Sequence, residues 1–561
     1  MTEPRPSAES SDAAVRGRAD LAAWLAAQPV DLFADDLALQ ALAVAHGLED
    51  RRESLHQTGR VVAGPLDRVV RENNLGRNLP VLDDWDAIGR FTARVSHHPS
   101  WWAAGRMIYG TGIMAAYGEA TTAPSPPHRY ILSLFYLTAQ AGEAGHNCPL
   151  ACAAGAIRSL QRLGTDSQQQ RFLTRLLDPD FQTNFTASQF LTEVQGGSDV
   201  GANAVQATPA DPADRGPGSR WRIDGEKWFC SNADADVFLM TARVAPPDQG
   251  TRGLGLFLVP RLRADGSPNG FRIRRLKDKL GTRSMASGEL DFTGAEAEAL
   301  GPVDGGFRNV MELVITTSRL FNAAGCAAHS RRAWVVASTY AAHRRAFGQP
   351  IVGFSAVKET LAWMRADAAA SIAGTLLLAE LHERVDAGTA TEQQRGFHRV
   401  GVNLNKLRTA ILAHDTVNRG IEVLGGNGAI ESFSVLPRLL RDNVVYENWE
   451  GTHNVLRAQV LRDCARLGVH RGFFAELRER LPAETEALNA DEAELEAILK
   501  ADSSLGALRF RRLADRLATW VQLAGLARAE GLDAEARLVR RHLSPLPLDA
   551  DYLALLDLLQ R

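Results

Sequence analysis

From about residue 37 to 180 apolar residues recur at helical spacing, in Ala/Leu-rich runs such as MIYGTGIMAAYGEA and ACAAGAIRSLQRLG, broken by the loop TTAPSPPH at 121–128. That pattern predicts a helical domain over 37–180. Between about 181 and 300 the texture changes to short β-rich runs, RWRIDGEKWFC, VFLMTARV, LGLFLVP and GELDF, separated by Pro/Gly/Asp loops such as TPADPADRGPGS. A compact antiparallel β domain is expected there. After Gly301 the helical period returns, and Leu404, Leu407, Ile411, His414, Ile421 and Leu424 lie close to one stripe, as the buried face of a bundle helix requires. The bundle is read as 301–465, and the more charged helices of 466–561, including DEAELEAILK and LRFRRLADRLATW, as a C-terminal helical domain. The fold class is therefore α+β and mainly α, with a helix–sheet–helix order that is neither a Rossmann nor a barrel pattern. GGNG at 425–428 follows a helix instead of joining a strand to a helix, which disfavours a dinucleotide fingerprint.

The opening MTEPRPSAESSDAAVRGRAD is rich in Pro, Ser and charge and carries no apolar signal core, and residues 1–36 are expected to be a disordered extension. No run of about 18 apolar residues occurs, so no membrane span is expected. With 63 Lys+Arg against 66 Asp+Glu, the net charge of -3 gives no general reason to bind nucleic acid or an anionic membrane. Cys148, Cys152, Cys230, Cys326 and Cys464 lack metal-ligand spacing, so no metal is expected, and their usage suits a reducing cytoplasm.

Four segments carry chemistry. LTEVQGGSDVGANAVQA (191–207) offers the hydroxyls of Thr192 and Ser198 around a flexible glycine pair that can approach a planar ring or a phosphate; alone it is only a Gly-rich turn. GEKWFCSNADAD (225–236) places Phe229 and Ser231 on one face of a strand, suited to covering an aromatic group and bonding its edge. RRAFGQPIVGFSAVKETLAWM (344–364) puts an Arg, the preferred binder of phosphate oxygens, before a turn and a helix. The fourth, EVLGGNGAIESFSVLPRLLRDNVVYENWEGTHNVLR (422–457), sets Glu450 between an aromatic residue and a glycine ahead of a helix. An acid there suits either a helix dipole or proton abstraction.

In this order and spacing the four segments resemble the acyl-CoA dehydrogenase family of flavoproteins, over about 90–465, including LKDKLGTRSMASGELDF at 276–292. HHPSWW (97–102), QGGSDV, KWFCS, Glu422, WEG and the C-terminal helical domain resemble most the DNA-alkylation-response, AidB-like branch. The resemblance implies FAD as cofactor, an acyl-CoA or related thioester as substrate and an electron-transfer flavoprotein as acceptor. It implies FAD contacts at Leu191, Thr192, Gly197, Ser198, Phe229, Ser231, Trp449, Thr452 and Asn454. Arg344, Phe347, Gly425 and Gly426 would hold the adenine half of FAD bound mainly by a neighbouring subunit, within a homotetramer built as a dimer of dimers. Glu450 would be the catalytic base, with Arg319 and Gly451 near the substrate.

Some positions depart from the family pattern. Ser355 and Glu422 stand where relatives carry Gln, so contacts to the adenine half must differ, and His453 is assigned no role. Two other readings stay open: an oxidase or monooxygenase on the same fold, and an AidB-like flavoprotein that binds double-stranded DNA with vestigial dehydrogenase activity. The DNA reading is weakened because 471–561 holds thirteen Arg+Lys against sixteen Asp+Glu, leaving only local stripes such as Arg509, Arg512 and Arg516.

Overall fold

Alternating texture becomes alternating architecture in the computed structural model, which describes residues 12–121, 123, 125–544 and 550–560. Residues 122 and 124 of the 121–128 loop, and 1–11 of the N-terminal stretch, lie outside the described residues. Residues 12–26, expected within a disordered extension, instead form helix α1 (Asp12–Ala26). Its anchor is Trp24, 3% exposed, stacked at 5.0 Å on Phe433 and edge-on to Tyr340 at 5.4 Å, with Nε1 donating to Thr339 Oγ1 at 3.2 Å. Leu21 and Trp24 form the ridge that packs against the bundle.

The N-terminal region contains α2 (His128–Ala139) and α3 (Ala144–Leu163), both almost wholly buried. It is also interrupted by an unforeseen hairpin, β1 (Val81–Trp85) with β2 (Phe91–Ser96), whose Leu82, Phe91 and Val95 pack on the β-domain core. The β domain holds seven strands: β3 (Ala187–Phe190), β4 (Gln206–Pro209), β5 (Arg220–Ser231), β6 (Val237–Arg243), β7 (Leu254–Pro260), β8 (Phe271–Leu276) and β9 (Ser287–Ala299), in the order β3-β6-β4-β5-β9-β7 with β8 on β9. β6 also pairs with β7, closing a ring. Two pairings are parallel, β3 with β6 and β4 with β6, so the sheet is mixed instead of purely antiparallel.

The bundle consists of α4 (Thr316–His343), α5 (Ser355–Asp386), α6 (Glu392–Leu424), α7 (Leu436–Asn448) and α8 (His453–Leu467). On α6, Leu404, Leu407 and Leu424 are buried but Ile411, His414 and Ile421 are half-buried; the innermost seam of its second half is Ala410, Ala413, Val417 and Gly420. Small residues take the tightest positions because helices approach closely there: a Cβ at Gly420 would lie 3.3 Å from Leu436 Cδ1. The C-terminal helices α9 (Thr485–Lys500) and α10 (Ser503–Leu526) pack onto the bundle with equal intimacy. A Cβ at Gly525 of α10 would lie 2.4 Å from the Ala373 carbonyl carbon of α5, and one continuous core joins the two regions. α5 has the length and apolar content of a bilayer span, but 89% of that stretch is buried inside the fold, as in a core helix.

Candidate active site

The α7–α8 connection is where the chemistry concentrates. Glu450 adopts φ 57° and Gly451 φ 103°, both in the left-handed region, which costs a non-glycine residue about 1–3 kcal/mol unless its surroundings impose it. The surroundings do so. Arg319 Nε of α4 donates to the Glu450 carbonyl at 3.0 Å, while Lys406 Nζ of α6 donates to the Glu447 and Gly451 carbonyls at 3.0 and 2.9 Å. Two cations thus close the C-terminal end of α7, where helix carbonyls are unsatisfied and the dipole is negative. Arg319 is itself held by Asn403 Oδ1 and Gln459 Oε1. A side chain at Gly451 would be crowded, its Cβ 3.3 Å from Leu456 Cδ2 and 3.4 Å from Arg319 Nη2, and φ 103° disfavours any residue but glycine.

Glu450 stands two residues before Thr452, the N-cap of α8, and no acid lies in that helix's first turn. The helix-dipole role therefore falls away. Its carboxylate Oε2 is sealed from solvent and has no hydrogen-bond partner among the described residues, although the residue as a whole reaches the cleft surface. Burial raises the Glu450 pKa to about 6, against the opposing pull of Arg319 and Lys406. The same burial lowers Arg319 to about 10 and Lys406 to about 8.

Two cavities flank the turn. One, about 30 Å³, is lined by Glu450, Phe135, Cys148, Cys152, Phe321 and Tyr446 among others. The other is polar, about 230 Å³, and is lined by Glu447, Asn448, Thr452, His453, Asn454, Arg457 and Arg511 at the α8 N-terminus. There the Thr452 side chain makes no capping bond, and His453 Nε2 and Arg457 Nε are buried without partners among the described residues. Trp449 closes the turn against Tyr446, 4.6 Å between rings, with Nε1 also unpaired.

The 191–198 loop is pinned by an ion pair that the sequence reading did not single out: Glu193 Oε1 to Lys227 Nζ at 2.7 Å, both buried. Leu191 is tied by its carbonyl to Asn203 Nδ2 at 2.7 Å, and the Thr192 carbonyl accepts from Trp228 N at 3.0 Å. Gly197 passes close to the Thr192 side chain, and Ser198 is exposed. At the end of β5 the register against β9 shifts between Lys227 and Cys230, a bulge that turns Phe229 outward, 53% exposed, beside half-buried Ser231. Lys277 Nζ lies 4.7 Å from the Phe229 ring centroid.

Arg344 and Phe347 lie elsewhere. The hairpin β10 (Arg345–Ala346) and β11 (Gln349–Pro350) has a two-residue loop, Phe347–Gly348, with φ of 50° and 84°, the sign pattern of a type I′ turn. The Phe347 ring is 96% exposed. Arg344 is 25 residues along α4 from Arg319, hence roughly 37 Å from the Glu450 turn at 1.5 Å per residue. Gly425 and Gly426, exposed with open space above them, follow α6 near the same end. Glu422 and Ser355 are exposed there too. Of the basic stripe on α10, Arg509 and Arg512 are exposed, whereas Arg516 is bound by Asp491 and Glu494.

Family models match three consecutive stretches: the adaptive response protein AidB N-terminal domain over 25–183, the acyl-CoA dehydrogenase middle domain over 188–295 and the acyl-CoA dehydrogenase C-terminal domain over 304–464. The putative acyl-CoA dehydrogenase AidB of Escherichia coli is 31% identical over 393 residues, 69% of each chain. The chain belongs to the acyl-CoA dehydrogenase family. Acyl-CoA dehydrogenase family member 11 of Caenorhabditis elegans is 32% identical over 409 residues, 71% of this chain; the match spans 65% of that protein's own length. Two solved structures share the fold: the apo form of Bd2924, with TM-score 0.80 and 28% identity over 92% of this chain and 98% of that one, and the C. elegans ACDH-11 complex with C11-CoA, with TM-score 0.79 and 26% identity over 93% of each.

The family and these structural neighbours are FAD-binding flavoproteins, and the residues here suit that cofactor. An outward-turned aromatic ring at Phe229 offers a face to a planar group. The α8 N-terminus, where the Thr452 side chain makes no capping bond and His453 Nε2 and Arg457 Nε have no partner among the described residues while the Arg457 fork is tied to Asp515 and Asn454, offers donors to phosphate and hydroxyl groups. Lys406 was not anticipated from sequence, where it lies in the mixed stretch NLNKLRTAIL of α6 between Leu404 and Leu407.

Proposed function

We propose that this chain is an FAD-dependent acyl-CoA dehydrogenase in which Glu450 removes the α proton of an acyl thioester. The observation that carries the reading is the Glu450 carboxylate itself: desolvated, one oxygen sealed without a partner among the described residues, its residue lining an apolar cavity on a turn whose backbone carbonyls Arg319 and Lys406 hold. FAD, when bound, accepts the hydride leaving the β carbon. Glu450 takes the proton, the two electrons leave with the hydride, and the thioester becomes a 2,3-enoyl thioester. The Glu450 N–H, which donates to no group among the described residues, is free to meet the thioester oxygen as negative charge develops there. Burial raises the basicity of the carboxylate toward that task. Leu191, Thr192, Gly197, Ser198, Phe229, Ser231, Trp449, Thr452 and Asn454 would hold the cofactor of the same subunit.

The roughly 37 Å between Arg344 and the Glu450 turn is farther than one dinucleotide reaches, which supports assigning Arg344, Phe347, Gly425 and Gly426 to a neighbour's FAD. A homotetramer follows as the assembly of this reading, checked by light scattering. The principal test is anaerobic titration of the purified flavoprotein with acyl-CoAs. Flavin bleaching in the native protein and none in a FAD-loaded Glu450→Gln variant is expected; equal bleaching in both removes Glu450 from the mechanism. Reoxidation by an electron-transfer flavoprotein, set against oxygen, separates a dehydrogenase from an oxidase.

A further inference from the structure

We infer that the acyl group this site takes is short, with about one to three carbons beyond the reacting pair, so that acyl-CoA thioesters of about four to six carbons are its substrate class. This rests on the dehydrogenase reading above. With the reacting carbons beside Glu450, the remainder of the chain must enter the cavity behind it, and that cavity holds about 30 Å³. On that measure a water needs about 10–15 Å³, so the space takes about two or three carbon atoms and no long chain.

The floor is closed by rings that support one another. Phe135 of α2 and Phe321 of α4 meet edge to face at 4.7 Å, each 1% exposed, and Tyr446 of α7 is 2% exposed. One turn beyond Phe321, a Cβ at Gly325 would lie 2.7 Å from Tyr446 Cε1 and 3.4 Å from Phe135 Cε1, so the three helices already touch where a longer tunnel would have to run. The side wall is polar and tied down: Gln189 Nε2 donates to Ser318 Oγ at 2.8 Å, and Asn322 Nδ2 to the Tyr446 carbonyl at 3.0 Å. Admitting more methylenes would force rings out of their rotamers or break those bonds, and overpacking of that kind is unfavourable.

The test uses the FAD-loaded native protein and a series of straight-chain acyl-CoAs from C4 to C11. Rapid anaerobic mixing gives the second-order rate constant of flavin reduction, and calorimetry with the non-reacting 3-thia analogues gives affinity independently of turnover. C4 is expected to exceed C11 by at least about 100-fold in the rate constant, with a parallel preference in affinity. Phe321→Ala and Phe135→Ala, which remove the floor from two different helices, are expected to raise the C11 constant at least tenfold relative to C4. C11 bound and oxidised as well as C4 by the native protein overturns the inference and leaves the dehydrogenase reading standing. Flavin that no thioester in the series reduces overturns the reading, and the inference falls with it.

Discussion

The Glu450 turn and the Arg344–Phe347 hairpin both bend the backbone into the left-handed region at a non-glycine residue, yet one is packed into the interior and the other stands at the surface. Around Glu450 two buried cations satisfy the turn's carbonyls, and Leu456 and Arg319 crowd position 451, whose φ of 103° favours glycine. At the hairpin Phe347 is 96% exposed, and its closest aromatic contact is Phe354 at 6.1 Å, edge on. The same local cost is thus offset in the first case by interior packing, while the hairpin lacks that support among the described residues. On the function proposed above, the first turn holds a base and the second meets a neighbour's cofactor.

The largest break in that contrast is Glu450→Gln. The amide keeps the side chain's shape and removes its basicity, so flavin reduction by acyl-CoA should fall by about 10²–10⁴-fold while bound FAD is retained. Stopped-flow absorbance measures the first and the visible spectrum the second. A variant that loses its flavin instead would place Glu450 in the support of the cofactor and blur the distinction between the two turns.

Next is Lys406→Met, a change of similar length that removes the donor to two buried carbonyls. Each unsatisfied group costs about 1–3 kcal/mol, so unfolding stability should drop by about 2–4 kcal/mol, read from denaturant midpoints at unchanged slope. No loss would mean that the turn holds itself. Phe347→Ala should behave in the opposite way. Its ring is exposed in the single chain, so monomer packing is untouched, but FAD affinity should fall by about tenfold if a neighbour's cofactor rests on it. Unchanged FAD occupancy with an unchanged assembly would show that the hairpin serves neither.

The sequence made one side of this contrast more legible than the other. Helix period and strand texture reveal the layer order because burial imposes them along the chain, and the ordered blocks around Thr192, Phe229, Arg344 and Glu450 carry the family likeness. Lys406 and the Glu193–Lys227 pair escaped notice because a buried charge has no periodic signature; only its partners, distant in sequence, explain it. Helix α1 escaped because the Pro, Ser and charge of the opening residues outweighed the run LAAWLA at 21–26, whose anchor shows only when Tyr340 and Phe433 are set beside Trp24. The β5 bulge is likewise invisible to alternation, which places Phe229 on the proper face without showing why it protrudes.

The smallest expected effect comes from pH, and it sharpens what preorganisation does to Glu450. A carboxyl whose folded pKa is raised from 4.5 to about 6 is disfavoured in its charged form by the fold, chiefly through burial. The base is ionised above about 6 and protonated below it, so the rate constant for flavin reduction should be level from pH 7 to 8 and fall about tenfold between pH 7 and 5. Stability has the opposite sign at this group: the charged form carries a penalty at neutral pH, which protonation relieves as pH falls through the folded pKa toward 4.5. Lys406, with its pKa lowered only to about 8, keeps most of its charge across the acidic limb, so the inflection belongs to Glu450. Arg319→Lys keeps a cation near the carboxylate but loses the planar fork that bonds the Glu450 carbonyl, Asn403 and Gln459 together. That variant should slow reduction at every pH and move the inflection little, because burial, the larger cause, is preserved. An inflection that instead shifts with Arg319→Lys by a full pH unit would make charge, and not desolvation, the force that tunes the base.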